Sequence, residues 1–161
     1  MNILQKIIAH KQIEVAKCKE RVSIMQLEKS AFMNSEVSSM KEHLLNKDKS
    51  GIIAEIKRKS PSKGVINKNA NIKSISRGYE NEGVSGISVL TDSIFFGGSS
   101  EDFNIVRNTV NCPMLRKDFM IDEYQIIEAK AMGADTVLLI AAGLEEKKCL
   151  ELSELSKSLG L

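Results

Sequence analysis

The stretch of sequence that decides the fold is IIAEIKRKSPSKG, residues 52–64. It begins with apolar residues suited to a buried strand, then fills with charge and ends in Ser-Pro-Ser-Lys-Gly. Because side chains alternate along a strand, Glu55 and Lys57 lie on the same face. Strands of open parallel sheets are usually apolar on both faces, so charge near the end of this strand favours the inner rim of a barrel.

Three further strand-like runs follow, at 86–91, 114–119 and 136–141, and each run is followed by a turn and a segment with helical periodicity. In each helical segment the apolar residues recur at i, i+3 and i+7 or nearly so, which gives one apolar face per helix. Strands alternating with helices predict right-handed βαβ crossovers and a parallel sheet. The predicted fold class is α/β, with four βα units that form either half of a (β/α)₈ barrel, which the charged strand ends favour, or a small open sheet.

A helical leader precedes these units. Residues 3–22 carry an apolar stripe at helical spacing, a capping box begins at Ser23, and 36–46 predicts a third short helix. We therefore predict an N-terminal helical extension at 1–48 and the first half of a barrel at 49–161. A complete barrel needs roughly 200 residues or more, so we expect a partial barrel.

The composition argues against several classes of function. The chain has 161 residues, of which 42% are hydrophobic and 27% charged, as in globular proteins. A balance of 23 basic and 21 acidic residues gives no field that favours nucleic acid or a membrane surface. Three dispersed cysteines are typical of reduced thiols in a cytosol. These cysteines form no metal-type pair, so no metal is expected. With no membrane-length apolar run and with charges in its first residues, the chain is predicted to be cytoplasmic and without membrane contact.

Each polar run at a strand end has an ordinary structural explanation when it is taken alone. Glu55 and Lys57 can form a structural ion pair, and Ser-Pro-Ser can be a simple turn. Lys117 in MLRKDF can extend to solvent while Phe119 packs in the core. The loop TDSIFFGGS, residues 91–99, can lead into a capped helix.

The same runs also suit an active site. Glu55 would hold the Lys57 ammonium where it can act as an acid, a base or an electrostatic clamp. Ser60, Ser62 and nearby backbone N–H groups could bind an anion. A lysine beside an aromatic ring, as at Lys117, suits a substrate with a flat ring and an oxygen that gains negative charge.

Taken together, AEIKRKSPSKG, SVLTDSIFFGGS and LRKDFMIDEYQIIEAKAMGADTVLLI closely resemble, in order and spacing, the indole-3-glycerol phosphate synthase family of tryptophan biosynthesis. The resemblance extends from the leader ILQKIIAHKQIEVAK to the last residue. Departures are Lys59, where the family usually has a small residue, and Ser93-Ile94, which replaces a more charged pair. The resemblance implies a (β/α)₈ barrel with a helical extension that acts without a cofactor. The family's enzyme converts 1-(2-carboxyphenylamino)-1-deoxyribulose 5-phosphate to indole-3-glycerol phosphate, CO₂ and water.

The resemblance also implies the roles of individual residues. Lys117 matches the general acid that protonates the substrate carbonyl as the ring closes, and Lys57 matches a second catalytic lysine near the carboxylate that leaves. Glu55 matches the acid that orients both lysines. The residues that match substrate contacts are Ser60, Pro61 and Ser62 in the loop after the first strand, and Ser88, Leu90, Phe96, Phe119 and Leu138 around the anthranilate ring.

Other features of the family are expected to lie outside these residues, because its further catalytic carboxylate is on the fifth strand and its main phosphate site follows the seventh and eighth. We therefore expect little or no synthase activity from this chain alone, and self-association, or pairing with a C-terminal fragment, through the open edges of a half barrel. Two alternatives remain open. One is a lysine Schiff-base aldolase on the same barrel. The other is a phosphate- or nucleic-acid-binding module at Lys57–Lys63. This segment contains no aromatic residue for base stacking and the net charge is balanced, so such a module is a poor fit.

Overall fold

The computed structural model describes residues 2–161. The strands are β1 (Ile53–Ile56), β2 (Lys59–Ser60), β3 (Gly64–Val65), β4 (Gly86–Leu90), β5 (Met114–Lys117) and β6 (Thr136–Val137). The α-helices are α1 (Ile3–Arg21), α2 (Ile24–Leu27), α3 (Met40–Leu45), α4 (Ile72–Asn81), α5 (Ser100–Arg107), α6 (Glu123–Ala131) and α7 (Glu146–Ser158). Short 3₁₀ helices lie at Ala31–Asn34 and Ala141–Gly143.

The order of the strands decides between a barrel and an open sheet. β1, β4, β5 and β6 form one parallel sheet in that order, and β2 pairs with β3 in a small antiparallel hairpin. Neighbouring strands of the parallel sheet are joined by α4, α5 and α6 in turn. A doubly wound sheet reverses its strand order at a switch point, whereas a barrel keeps it. The order observed here is that of consecutive barrel units.

The two faces of the sheet have different chemistry. On one face Ile87, Val89 and Met114 are fully buried against helix residues such as Phe103 and Val106 of α5. The opposite face carries the residues that alternate with these. The register pairs Glu55 with Ser88 and Leu90 with Lys117, which places all four on that opposite face. The sequence therefore separates a helix-covered core from a polar inner face.

The strands are shorter than the sequence predicts. The run predicted at 52–58 forms β1 at 53–56, and the charge-rich segment after it folds back as the β2–β3 hairpin. The run predicted at 136–141 is a strand only at 136–137, and within residues 2–161 it pairs with β5 alone. Pairing on one side leaves fewer backbone hydrogen bonds to hold the chain extended.

The leader is helical, as predicted, with adjusted bounds. The helix predicted at 3–22 is α1, and the capping box at Ser23 is present. The helix predicted at 36–46 is shorter, at 40–45, and the 3₁₀ turn at 31–34 was not predicted. The predicted domain boundary at 48/49 stays a prediction. In the described part of the chain, no helix combines the length and the apolar character required to cross a membrane.

Candidate active site

Two ammonium groups converge on one carboxylate at the C-terminal end of the sheet. Lys57 Nζ lies 2.6 Å from Glu55 Oε1, and Lys117 Nζ lies 3.9 Å from Glu55 Oε2. Alternation along β1 and the register of β4 between β1 and β5 bring the three side chains to the same face. Each side chain is about one third exposed, so a ligand can reach both cations.

A cavity of about 590 Å³ opens beside this cluster, a size suited to a small-molecule ligand. Lys57 lies in its wall together with the hairpin that follows β1. Phe96 and Phe119 supply an aromatic part of the wall. Helix α1 closes another side with its apolar residues Leu4 and Ile7. Charge, hydroxyls and flat apolar surface therefore meet in a single space.

The Ser-Pro-Ser-Lys-Gly hairpin has an internal hydrogen bond that fixes its shape. The N–H of Lys63 donates to Ser60 Oγ at 3.2 Å, and the Ser60 and Ser62 hydroxyls lie 3.4 Å apart. Gly64 closes the turn with a φ of +66°, which an L side chain rarely adopts. The N–H of Lys59 donates to the carbonyl of Phe96 at 3.1 Å, so the hairpin is joined to the aromatic loop after β4.

The two aromatic rings of the cavity lie next to each other. The centroids of Phe96 and Phe119 are 6.0 Å apart with an interplanar angle of 37°. A carboxylate holds the backbone of each residue. Asp92 Oδ1 accepts from the N–H of Phe96 at 3.1 Å, and Asp118 Oδ1 accepts from the N–H of Phe119 at 2.8 Å. The rings are therefore presented by loops fixed at the ends of β4 and β5.

The residues predicted for the site take three kinds of position. Those in the cavity wall are Lys57, Ser60, Pro61, Ser62, Phe96 and Phe119. Glu55 and Lys117 adjoin the wall through their ion pairs. Ser88 and Leu90 are buried on the same face of the sheet but outside the wall, and Leu138 is half-buried after β6, also outside it. The Ser88 hydroxyl has no hydrogen-bond partner among residues 2–161.

Arg58 supports the site, although no role was predicted for it from the sequence. Its Nε and Nη2 donate to the two oxygens of Asp102 at 2.7 and 2.8 Å, and its Nη1 donates to the carbonyl of Lys68 at 2.9 Å. The hydrogen bonds to Asp102 raise the pKa of Arg58. Arg58 thus fastens the end of β1 to the first turn of α5 and to the segment before α4. In the sequence, its anchoring role could have been inferred from its position one residue after Lys57, which places it on the opposite face.

Lys11 of α1 is the second residue that sequence reasoning missed. Its side chain is 1% exposed, and its Nζ lies 2.9 Å from Glu14, 3.1 Å from Asp92 and 2.8 Å from Asp118. Burial lowers the pKa of Lys11, but the carboxylates raise it by more, so the group stays protonated. For Asp118 the directions are reversed. Burial raises its pKa, but Arg116 and Lys11 lower the pKa by more, to below the usual range. In the sequence, the burial of Lys11 could have been inferred from its position on the apolar stripe of α1 between Ile7 and Val15, which are both buried.

Parallel strands in chain order, with helices on one face and a polar cluster at the strand ends, define the class of (β/α)₈ barrel proteins. The family model for indole-3-glycerol phosphate synthase matches residues 4–161. The chain therefore belongs to the indole-3-glycerol phosphate synthase family. This confirms the predicted resemblance and the predicted partial barrel.

Individual relatives named indole-3-glycerol phosphate synthase agree with the family match. The chain is 49% identical over 160 residues to the protein of Bacteroides thetaiotaomicron, an alignment that covers 99% of this chain and 61% of that relative. It is 46% identical over 159 residues to the protein of Prochlorococcus marinus strain MIT 9215, covering 98% and 54%. Identity to the protein of Neisseria meningitidis serogroup B is 42% over 163 residues, covering 99% and 63%. The chain thus spans between about half and two thirds of the length of these relatives.

Proposed function

We propose that the strand-end site performs indole-3-glycerol phosphate synthase chemistry. The substrate is 1-(2-carboxyphenylamino)-1-deoxyribulose 5-phosphate, and the products are indole-3-glycerol phosphate, CO₂ and water. The observation that carries the proposal is the convergence of Lys57 and Lys117 on Glu55 beside a cavity walled by two phenylalanine rings. Membership of the family supports the same reaction.

The proposed mechanism uses side chains alone. The electron-rich anthranilate ring attacks the carbonyl carbon of the ribulose chain, and negative charge develops on the carbonyl oxygen. Lys117 protonates that oxygen as the carbon–carbon bond forms, because a cation at this point stabilises the developing charge. Lys57 lies beside the carboxylate that leaves as CO₂ and takes part in proton transfer. Glu55 orients both ammonium groups.

The remaining proposed residues bind the substrate rather than react. Phe96 and Phe119 hold the aromatic ring close to the carbon that it attacks, which restricts this intramolecular ring closure to a productive geometry. The Ser60–Ser62 segment contacts the polar part of the substrate. Ser88, Leu90 and Leu138 belong to the inner face around the ring.

We also propose self-association, or pairing with a C-terminal fragment, through the sheet edges. Within residues 2–161 the outer edge of β1 and that of β6 have no partner strand, and Ile53 at the edge of β1 is 37% exposed. Unpaired strand edges favour pairing with another chain. Analytical ultracentrifugation over a range of concentrations would detect it, and a strictly monomeric chain without binding of the dye ANS would contradict it.

The catalytic proposal is tested by the fluorescence of the indole product. The assay compares the chain itself with a chimera in which residues 1–161 replace the matched segment of the Bacteroides thetaiotaomicron relative. We expect the chimera to form product, Lys117→Met to abolish turnover, and the matched control Lys147→Met to leave it unchanged, because that side chain is 89% exposed on α7. A folded chimera without product, beside an active parent, would refute the proposal. Borohydride trapping of substrate on Lys57 or Lys117 would instead indicate Schiff-base chemistry.

A further inference from the structure

Helix α1 is attached to the strand ends by one buried cation. Lys11 Nζ contacts Asp92 Oδ2 at 3.1 Å and Asp118 Oδ1 at 2.8 Å, and both carboxylates are almost completely buried. Asp92 Oδ2 has no aligned hydrogen-bond donor among residues 2–161, so its attraction to Lys11 is coulombic. A buried carboxylate that loses its countercharge must find another partner or move towards water. Lys11 therefore helps to hold both carboxylates in place, together with Arg116, which lies 3.7 Å from Asp118.

Each of these carboxylates holds the backbone of one cavity phenylalanine. Asp92 accepts from the N–H of Phe96, and Asp118 accepts from the N–H of Phe119. The other oxygen of Asp118 accepts from the Thr91 hydroxyl at 2.6 Å, which joins the ends of β4 and β5. Lys11 thus lies at the start of two short chains of contacts, and each chain ends at one ring of the aromatic pair.

The same helix also forms part of the cavity wall. Leu4 and Ile7 lie on the α1 face that carries Lys11, two turns and one turn before it respectively, and both line the cavity. The position of Lys11 therefore sets the position of this apolar wall relative to Phe96 and Phe119.

We propose that Lys11 is a positioning residue that fixes the Phe96–Phe119 pair through Asp92 and Asp118. It contacts neither ring. In Asp92 it contacts one oxygen while the other oxygen accepts from the Phe96 N–H. In Asp118 it contacts the same oxygen that accepts from the Phe119 N–H. The consequence for ring binding rests on the proposed function. The positioning of the rings does not, and it can be tested without substrate.

The experiment is amide hydrogen exchange on the chain. The Phe96 and Phe119 amides are compared with the Ile87 amide, which donates to the carbonyl of Pro113 at 2.9 Å within the sheet core and reports opening of the whole fold. In Lys11→Met we expect Phe96 and Phe119 to lose protection by about tenfold more than Ile87, because only their loops are released. Lys11→Arg, which keeps the charge, should restore part of the protection.

The matched control is Lys19→Met on the same helix. Lys19 also joins α1 to a loop through a 2.8 Å ion pair, with Asp122, but its side chain is 47% exposed and it does not reach the rings. We expect it to leave the ratio of the Phe and Ile87 rates unchanged. If Lys11→Met lowers all three protections equally, or leaves the ratios as in the control, Lys11 is merely structural and the proposal is overturned.

A second variant keeps the proposal testable if Lys11→Met does not fold. Asp92→Asn keeps the oxygen that accepts from Phe96 but removes the charge that attracts Lys11. We expect faster exchange at Phe96 with Phe119 unchanged. Equal effects at both amides, or none at Phe96, would overturn the proposal. Turnover of the chimera is measured separately, so a failed synthase assay leaves this result intact.

Discussion

Replacing Arg58 with Met should destabilise the chain strongly, although the residue contacts nothing in the cavity. The variant leaves the Asp102 carboxylate, 10% exposed, without its two-point partner and removes the hydrogen bond to the Lys68 carbonyl. Breaking a fully buried pair costs about 3–5 kcal/mol, and the 25% exposure of the Arg58 side chain reduces this to about 2 kcal/mol. The lost backbone hydrogen bond adds about 1 kcal/mol. The free energy of unfolding should therefore fall by about 3 kcal/mol in total.

Urea denaturation followed by circular dichroism measures this loss. With a slope of about 2 kcal/mol per molar urea, the midpoint should fall by about 1.5 M. Arg58→Lys keeps the charge but cannot form the two parallel hydrogen bonds of the guanidinium, so its loss of unfolding free energy should be intermediate. In a double-mutant cycle with Asp102→Asn, the second substitution should cost much less once Arg58 is gone. A loss below about 0.5 kcal/mol, or additive effects in the cycle, would show that the pair does not hold β1 to α5.

Three further predictions concern packing, pH and the proposed site. Gly98→Ala should cost more than about 2 kcal/mol because a Cβ there would lie 2.0 Å from the Leu90 carbonyl oxygen, whereas the control Gly78→Ala, in open space on α4, should be neutral or slightly stabilising by thermal denaturation. Burial raises the pKa of the Cys112 thiol to about 11 from 9.0, so the unfolded chain loses that proton first and stability should fall as pH rises from 9.0 to about 11, by about 1.4 kcal/mol per pH unit. Denaturation at pH 8 and pH 10 should show this fall in the wild type, and Cys112→Ala should remove it. Glu55→Gln in the chimera should lower kcat by about tenfold or more while changing stability by less than about 1 kcal/mol, since both ion pairs are one third exposed; unchanged turnover would exclude an orienting role.

Periodicity accounts for what the sequence predicted well. Alternation along IIAEIKR placed Glu55 and Lys57 on one face, and the same rule applied to MLRKDF separated Lys117 from its neighbours Arg116 and Asp118. This rule is local and follows from backbone geometry alone. The bounds of β6 were predicted less well, because the apolar run TVLLIA does not reveal how many of its residues find a partner strand.

Burial of charge could not be predicted in the same way. In the sequence Lys11 is one of several charges along an amphipathic helix, and its partners Asp92 and Asp118 lie far along the chain. Whether a lysine extends to solvent or enters a carboxylate cluster depends on contacts between distant segments. The cavity wall supplied by α1 was missed for the same reason, since no local pattern shows that a leader helix lies over the ends of the strands.

The LRKD run shows how one strand end can both present a cation to a ligand and anchor the strand to the surrounding helices. Lys117 lies beside the cavity at 35% exposure, while its neighbours Arg116 and Asp118 lie on the buried side. Arg116 bonds Glu128 of α6 at 2.6 Å, and Asp118 bonds Lys11 of α1 at 2.8 Å. Because adjacent side chains point to opposite faces, the cation available to a ligand is flanked by two charges that anchor the strand to separate helices. A lysine at this position therefore acquires a fixed backbone from its own neighbours, and the charge-rich sequence reflects both an accessible cation and buried anchoring charges.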